Sequence, residues 1–182
     1  MTQTDNILIS RCQTGDKDAF RQLVERCQRM VFSVALKMLA DEDEAKDAMQ
    51  ETFLRVWLNI SKYDSRRSFT TWIYAIVSRL CLDHLKGRAR IIALPEDEAV
   101  LRHYASADGQ HDLENREWVA IVRLLAEKLS PKQRLVFTLS QLEGLSSQEV
   151  EEATGFTAKQ VKSNLYAARQ TIRERLMKMG YE

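Results

Sequence analysis

The chain has 182 residues, enough for one domain or two small ones, with 45% hydrophobic and 29% charged residues and only six Gly and two Pro. The longest apolar stretches carry charges at helical spacing, which excludes a membrane span, and the start MTQTDNILIS has neither the basic end nor the apolar core of a signal peptide. Cys12, Cys27 and Cys81 are odd in number and form no CxxC pair, and His84, His103 and His111 form no cluster. No disulfide framework, metal site or cofactor is therefore expected, and a reducing cytoplasm suits the chain.

Few breakers and abundant Leu, Ala, Glu, Lys, Arg and Gln favour helix, and nothing alternates long enough for a sheet, so the expected class is all-α. A short helix over Asp5–Cys12 closes near Gly15. Asp16 is an N-cap for a long helix to about Leu39, with Phe20, Leu23, Val24, Cys27, Val31, Val34, Ala35 and Leu36 at helical spacing. The DEDE run opens a helix to about Ile60, its acidic start favoured by the helix dipole. The polar stretch SKYDSRRS is a loop, and Ser68 caps a third long helix to about Arg88, with Ile73, Ile76, Val77, Leu80 and His84 down one side. Three such helices enclose one core, giving a first domain over 1–90.

The pattern dissolves over 91–112. Pro95, Gly109 and a run of acidic residues mark a flexible acidic linker. A second all-α domain over 113–182 resumes with Leu113, Trp118, Ile121, Val122, Leu125 and Leu129 at helical spacing. Ser130-Pro131 opens a helix ending near Gly144. Ser146 and Glu149 make a capping box for a short helix over Ser147–Thr154, closed by Gly155, and Thr157 caps a last helix to about Met179.

The net charge of +1 hides segregation. Ser61–Arg90 carries seven basic and two acidic residues, Phe156–Lys178 six basic and one acidic, and Ala40–Ile60 two basic and six acidic. Two separated basic faces suit two contacts with a polyanion, although charge alone serves ordinary solvated helix faces equally.

Three constellations stand out. SQEVEEATGFTAKQVKSNL has the plan of a helix-turn-helix, with Val150, Ala153, Phe156, Val161 and Leu165 spaced to lock two helices together. That leaves Ala158, Lys159, Gln160, Lys162, Ser163 and Tyr166 outward, residue types that bond base edges and phosphates, with Arg169 and Arg173 following. In AKDAMQETFLRVWLNI, Ala45, Ala48, Met49, Thr52, Phe53, Val56, Trp57 and Ile60 form a core stripe. A separate stripe of Asp47, Gln50, Glu51, Leu54 and Leu58 suits protein docking or plain surface. In SKYDSRRSFTTW and the helix after it, Tyr63, Phe69, Trp72 and Tyr74 are interleaved with Arg66, Arg67 and Arg79, as single-strand binding requires; Phe69 and Trp72 also fit a core.

The succession DAMQETFLRVW, SFTTWIYAIVSRLCLDHLKGRAR, an acidic linker and LSPKQRLVFTLSQLEGLSSQEVEEATGFTAKQVKSNLYAAR resembles the extracytoplasmic-function (ECF) sigma factors over nearly the whole chain. The resemblance implies a region-2 helical bundle and a region-4 helix-turn-helix domain joined by the linker. It implies docking on the clamp helices of core RNA polymerase through Asp47, Gln50, Glu51 and Leu54. The minus-10 element would be read as separated strands by Tyr63, Arg66, Arg67, Phe69, Trp72, Arg79, Lys86 and Arg88. The minus-35 duplex would be read by Thr157, Lys159, Gln160, Lys162, Ser163, Tyr166 and Arg169. Asn164 and Ala167 stand where the family usually carries basic residues, and Arg79 where it frequently has Asn.

The implied partners are core polymerase, promoter DNA and a membrane-linked anti-sigma factor, with no small-molecule substrate. A dimeric regulator binding a palindrome through the last helices is the alternative. An enzyme finds no phosphate loop, metal-ligand pair or nucleophile–base signature in the sequence.

Overall fold

The computed structural model describes the backbone of residues 3–92 and 128–178 and the side chains of 6–88 and 128–178. The expected linker, apart from its first two residues, and the expected helix from Leu113, apart from Lys128 and Leu129, lie outside these described residues. The described elements are helical throughout: α1 (Gln3–Gln13), α2 (Lys17–Leu39), α3 (Glu42–Asn59), a 3-10 turn (Ile60–Lys62), α4 (Phe69–Ile92), α5 (Pro131–Phe137), a π turn (Thr138–Leu142), α6 (Ser147–Thr154) and α7 (Ala158–Lys178).

Local chemistry sets the boundaries. Asp16 accepts from the N–H groups of Asp18 and Ala19 at 3.0 and 2.9 Å and starts α2. Asp41 accepts from Glu44 N–H at 2.9 Å and starts α3. Ser68 Oγ accepts from Thr71 N–H at 3.3 Å at the head of α4. Both capping boxes form, Ser130 with Gln133 and Ser146 with Glu149. Between α2 and α3 the chain turns through Ala40 at φ 58°, a left-handed conformation held by its N–H bond to the Leu36 carbonyl at 2.8 Å.

α2, α3 and α4 pack together around Val31, Val34, Ala35, Met38, Ala45, Ala48, Val56, Ile73 and Val77, all fully buried, and α1 lies along α2. Burying one such side chain is worth about 1.5–3 kcal/mol. The α4 stripe differs from expectation. Cys81, with Leu80, takes the inward position while His84 faces solvent, because the helix rotation favours the residue four after Val77. α4 also runs to Ile92, two residues into the expected linker.

In the second group, α6 and α7 cross through Val150, Ala153 and Val161, and Gly155 at φ 72° makes the tight turn between them. The helix expected from Ser130 to Gly144 is not one regular helix: after Phe137 it widens into the π turn, with Glu143 N–H bonded to the Thr138 carbonyl at 2.9 Å. The two helical groups touch. α6 lies against α4, α5 and the π turn lie against α2, and Leu135, Val136, Leu139 and Val150 join the same buried cluster as the α2–α4 core.

Candidate nucleic-acid interface and docking face

The outer stripe of α3 assembles as expected. Asp47 and Gln50 are exposed, Glu51 is half-buried and accepts from Arg55 Nε at 2.8 Å, and Leu54 and Leu58 are 53% and 64% exposed. Beside Leu54, the side chains of Lys17, Phe20, Phe53 and Trp57 form an apolar hollow of about 340 Å³, floored by the Phe20 and Trp57 rings at 4.8 Å. Leu54 lines this hollow, and the exposed Leu58, Asp47 and Gln50 lie along the same α3 stripe, a mixture of apolar and polar groups with the chemistry of a protein-docking patch.

The loop between α3 and α4 is built from its aromatics. Tyr63, Phe69 and Trp72 pack against one another, Tyr63 edge-on to Phe69 and Trp72 tilted against both, with ring centroids 5.2, 5.1 and 5.6 Å apart. Tyr63 and Phe69 are 7% and 2% exposed, and the Tyr63 hydroxyl donates to the Arg67 carbonyl at 2.5 Å. Gln13 Nε2 donates to the carbonyls of Ile60 and Tyr63 at 3.2 and 3.0 Å, fastening the loop from α1. Tyr63 and Phe69 thus shape the loop and do not offer ring faces to bases; burial pulls them in because the loop has no other apolar anchor. Trp72 remains half-exposed.

Arg66 and Arg67 are exposed on the loop, and Arg79 and Lys86 on α4. Arg66 grips Asp64 through two nitrogens, at 2.7 Å to Oδ2 from the terminal one. Those hydrogen bonds hold the Asp64 carboxyl down to about 2. Arg88 is placed differently from the expected DNA contact: it ion-pairs with Glu44 and donates to the Leu39 carbonyl at 3.3 Å, at the C-terminal end of α2.

On α7, Lys159, Lys162, Ser163 and Tyr166 lie exposed on the outer side, Tyr166 at 67%. Thr157 and Gln160 are joined in the helix cap. The Gln160 amide oxygen accepts from Thr157 N–H at 2.9 Å and from its hydroxyl at 3.2 Å, so only the amide nitrogen is left to address a base. Asn164 donates to the Gln160 carbonyl at 2.8 Å, and Arg169 donates to Gln141 Oε1 at 3.0 Å. The positive end of the α7 dipole adds to the lysines here.

Two residues of structural consequence, Lys37 and Glu143, were not singled out for any role by sequence reasoning, and Tyr74, expected among the single-strand-binding aromatics, is instead buried and donates to Glu143 Oε2 at 3.2 Å. Lys37 is 4% exposed on the apolar side of α2, where a lysine among Val34, Ala35 and Met38 is the one signal of a buried partner. Among the described residues no group of His, Cys, Asp and Glu could hold a metal ion, and no helix is long and apolar enough to cross a membrane.

A helix-turn-helix with a basic outer face, beside a helical bundle with a basic face and an exposed stripe of Asp47, Gln50, Leu54 and Leu58, has the make-up of a two-part DNA-binding protein. Residues 23–91 match Sigma-70 region 2, and residues 120–172 match Sigma-70, region 4. The chain is 28% identical over 176 residues to the ECF RNA polymerase sigma factor SigW of Bacillus subtilis, covering 92% of this chain and 94% of that protein. It is 27% identical over 180 residues to the RNA polymerase sigma-H factor of Pseudomonas aeruginosa, covering 93% and 92%. The fold is similar to that of CnrH, solved in complex with the cytosolic domain of CnrY, with a TM-score of 0.72 and 23% identity over 97% of this chain and 99% of that one. It is also similar to RpoE of Bartonella quintana, solved with the anti-sigma factor NepR, with a TM-score of 0.67 and 21% identity over 89% and 98%. The chain belongs to the sigma-70 family of RNA polymerase sigma factors, in its extracytoplasmic-function group. It is a promoter-specific initiation factor that works through RNA polymerase.

Proposed function

We propose that this sigma factor divides its work among three faces. Asp47, Gln50, Glu51 and Leu54, with Leu58 beside them, dock on core polymerase. Lys159, Lys162, Ser163 and Tyr166 enter the major groove of the minus-35 duplex, where Thr157 and Gln160 position the helix start and Arg169 holds the backbone. Arg66, Arg67, Trp72, Arg79 and Lys86 capture the minus-10 strand once the duplex has parted, on a loop shaped by Tyr63 and Phe69. Stacking on Trp72 supplies about 1–3 kcal/mol per base, too little to melt a promoter unaided, so strand separation draws on the polymerase. Catalysis stays with the polymerase, and the protein acts in the cytoplasm where that enzyme works.

The observation that carries this reading is the exposure of Leu54 and Leu58 on the same α3 stripe as Asp47 and Gln50, on a chain whose two basic faces lie elsewhere. An anti-sigma partner, membrane-linked as the sequence resemblance implies, is part of the same reading, since similar folds have been solved with such proteins bound. Titrating labelled protein with core polymerase tests the docking face. Leu54→Ala and Gln50→Ala each weaken binding by about tenfold or more with the helical signal unchanged. Unaltered affinity in both would refute the assignment.

A further inference from the structure

The first turn of α7 is closed by a reciprocal pair. Gln160 N–H donates to Thr157 Oγ1 at 3.3 Å, while Gln160 Oε1 accepts from the Thr157 N–H at 2.9 Å and from the Thr157 hydroxyl at 3.2 Å. An amide oxygen has two lone pairs, and here both are taken. The hydrogens on Nε2 are not. Ser163 and Asn164 donate to the Gln160 main-chain carbonyl, at 3.2 and 2.8 Å, and nothing among the described residues bonds the amide nitrogen. Thr157, Lys159, Gln160, Lys162 and Ser163 are all exposed.

The pairing limits what this side chain can read. A glutamine free to turn its amide pairs with adenine through both ends, the oxygen accepting from the N6 amino group and the nitrogen donating to N7. Gln160 has no oxygen to offer unless the cap opens, so it presents donors alone. The base edges of the major groove answer a donor differently. Guanine offers two acceptors, N7 and O6, and thymine offers O4. Adenine sets an amino group beside its N7, and cytosine offers only the N4 amino group. The N-terminal residues of a recognition helix are the ones that meet base edges, so the restriction falls where it bears on specificity.

We infer that Gln160 reads an acceptor-bearing base of the upstream duplex, guanine ahead of thymine, and that Thr157 sets this choice as a positioning residue by holding the amide oxygen. The inference rests on the sigma reading, in which α7 enters the major groove. Position 160 thus rejects adenine, the base that glutamine ordinarily pairs with. A carboxylate in the same place keeps the cap, since its first oxygen replaces the amide oxygen, but turns the outward atom from a donor into an acceptor. Gln160→Glu therefore reverses the polarity of the contact and keeps its geometry.

The test is selection by the holoenzyme, assembled from core polymerase and the full chain, from promoter fragments randomised over the upstream element, with the chain alone run in parallel. The pair facing residue 160 is the one whose preference moves in Gln160→Glu. There the wild type is expected to favour guanine over adenine by about tenfold or more, and Gln160→Glu to favour the amino-bearing cytosine or adenine. Thr157→Val deletes the hydroxyl, loosens the amide oxygen and raises adenine relative to guanine by about threefold. Thr157→Ser keeps the hydroxyl and the wild-type preference. A merely structural loss weakens all sequences alike and leaves these ratios unmoved. Adenine or cytosine favoured by the wild type at that pair, no pair whose preference moves, or a wild-type ratio in Thr157→Val overturns the inference. Selective binding by the chain alone, with none by the holoenzyme, refutes the sigma reading, while the base at that pair still judges the inference. No enrichment in either arm overturns both.

Discussion

Arg134 of α5 donates through Nη1 to the carbonyl oxygen of Met38 at 2.5 Å, so a cation of the region-4 domain caps the C-terminal end of a region-2 helix. Arg88 reaches the adjacent Leu39 carbonyl from the other side. Burial, and then the nearby Arg88 charge, lower the Arg134 guanidinium to about 10, which leaves it a cation at neutral pH. Arg134→Met removes a charge-assisted bond to a helix end and is expected to cost about 1.5–3 kcal/mol. Urea denaturation followed by helical signal measures it, and a loss below about 0.5 kcal/mol would show the contact to be incidental.

The loop aromatics divide by burial, and their variants divide likewise. Phe69→Ala empties a fully packed position and is expected to destabilise the bundle by about 3–5 kcal/mol. Trp72→Ala, half-exposed, costs less stability but weakens binding to a single-stranded minus-10 oligonucleotide in the polymerase complex by about 1–3 kcal/mol. Paired thermal melts and anisotropy titrations check the contrast, and equal effects on both readouts would contradict it.

Asp64 gives the loop a pH signature. Its carboxyl is lowered to about 2 by the Arg66 hydrogen bonds, so its contribution is fully present above the ordinary carboxylate value of 3.8 and is lost as pH falls through about 2. Carbon-detected NMR of the side chain is expected to place the midpoint there, and Arg66→Ala to return it toward 3.8. A midpoint unmoved by that substitution would mean the pair does not order the loop.

For the upstream face, Lys162→Ala in the polymerase complex is expected to weaken minus-35 binding evenly across sequences and to reduce the slope of log affinity against log salt by about 1. Ser163→Ala changes the preference for sequence and leaves the slope alone. Filter binding over a salt series distinguishes the two, and an unchanged slope for Lys162→Ala would remove it from the phosphate contacts.

Much of the fold was legible because local rules decide it. Asp16, Asp41, Ser130 and Ser146 cap the helices they precede, and Gly155 makes the turn of the helix-turn-helix. The exposure of the outer α3 stripe was legible for the same reason, since periodicity separates Asp47, Gln50 and Leu54 from the core. Tertiary contacts were not. Nothing local tells that Tyr63 turns inward while Trp72 stays half out, that His84 faces solvent, or that Gln160 spends its oxygen on Thr157. The Lys37–Glu143 pair joins residues 106 positions apart, beyond the reach of any periodicity.

The central claim is that this chain docks on polymerase through α3 and thereby directs initiation, and run-off transcription with purified core polymerase on genomic promoter fragments tests it most directly. Discrete new start sites that require the protein, and that vanish when Asp47 and Gln50 are both changed to Ala, are the predicted result. No polymerase binding and no new starts, with tight binding of a homodimer to palindromic duplex instead, would contradict it.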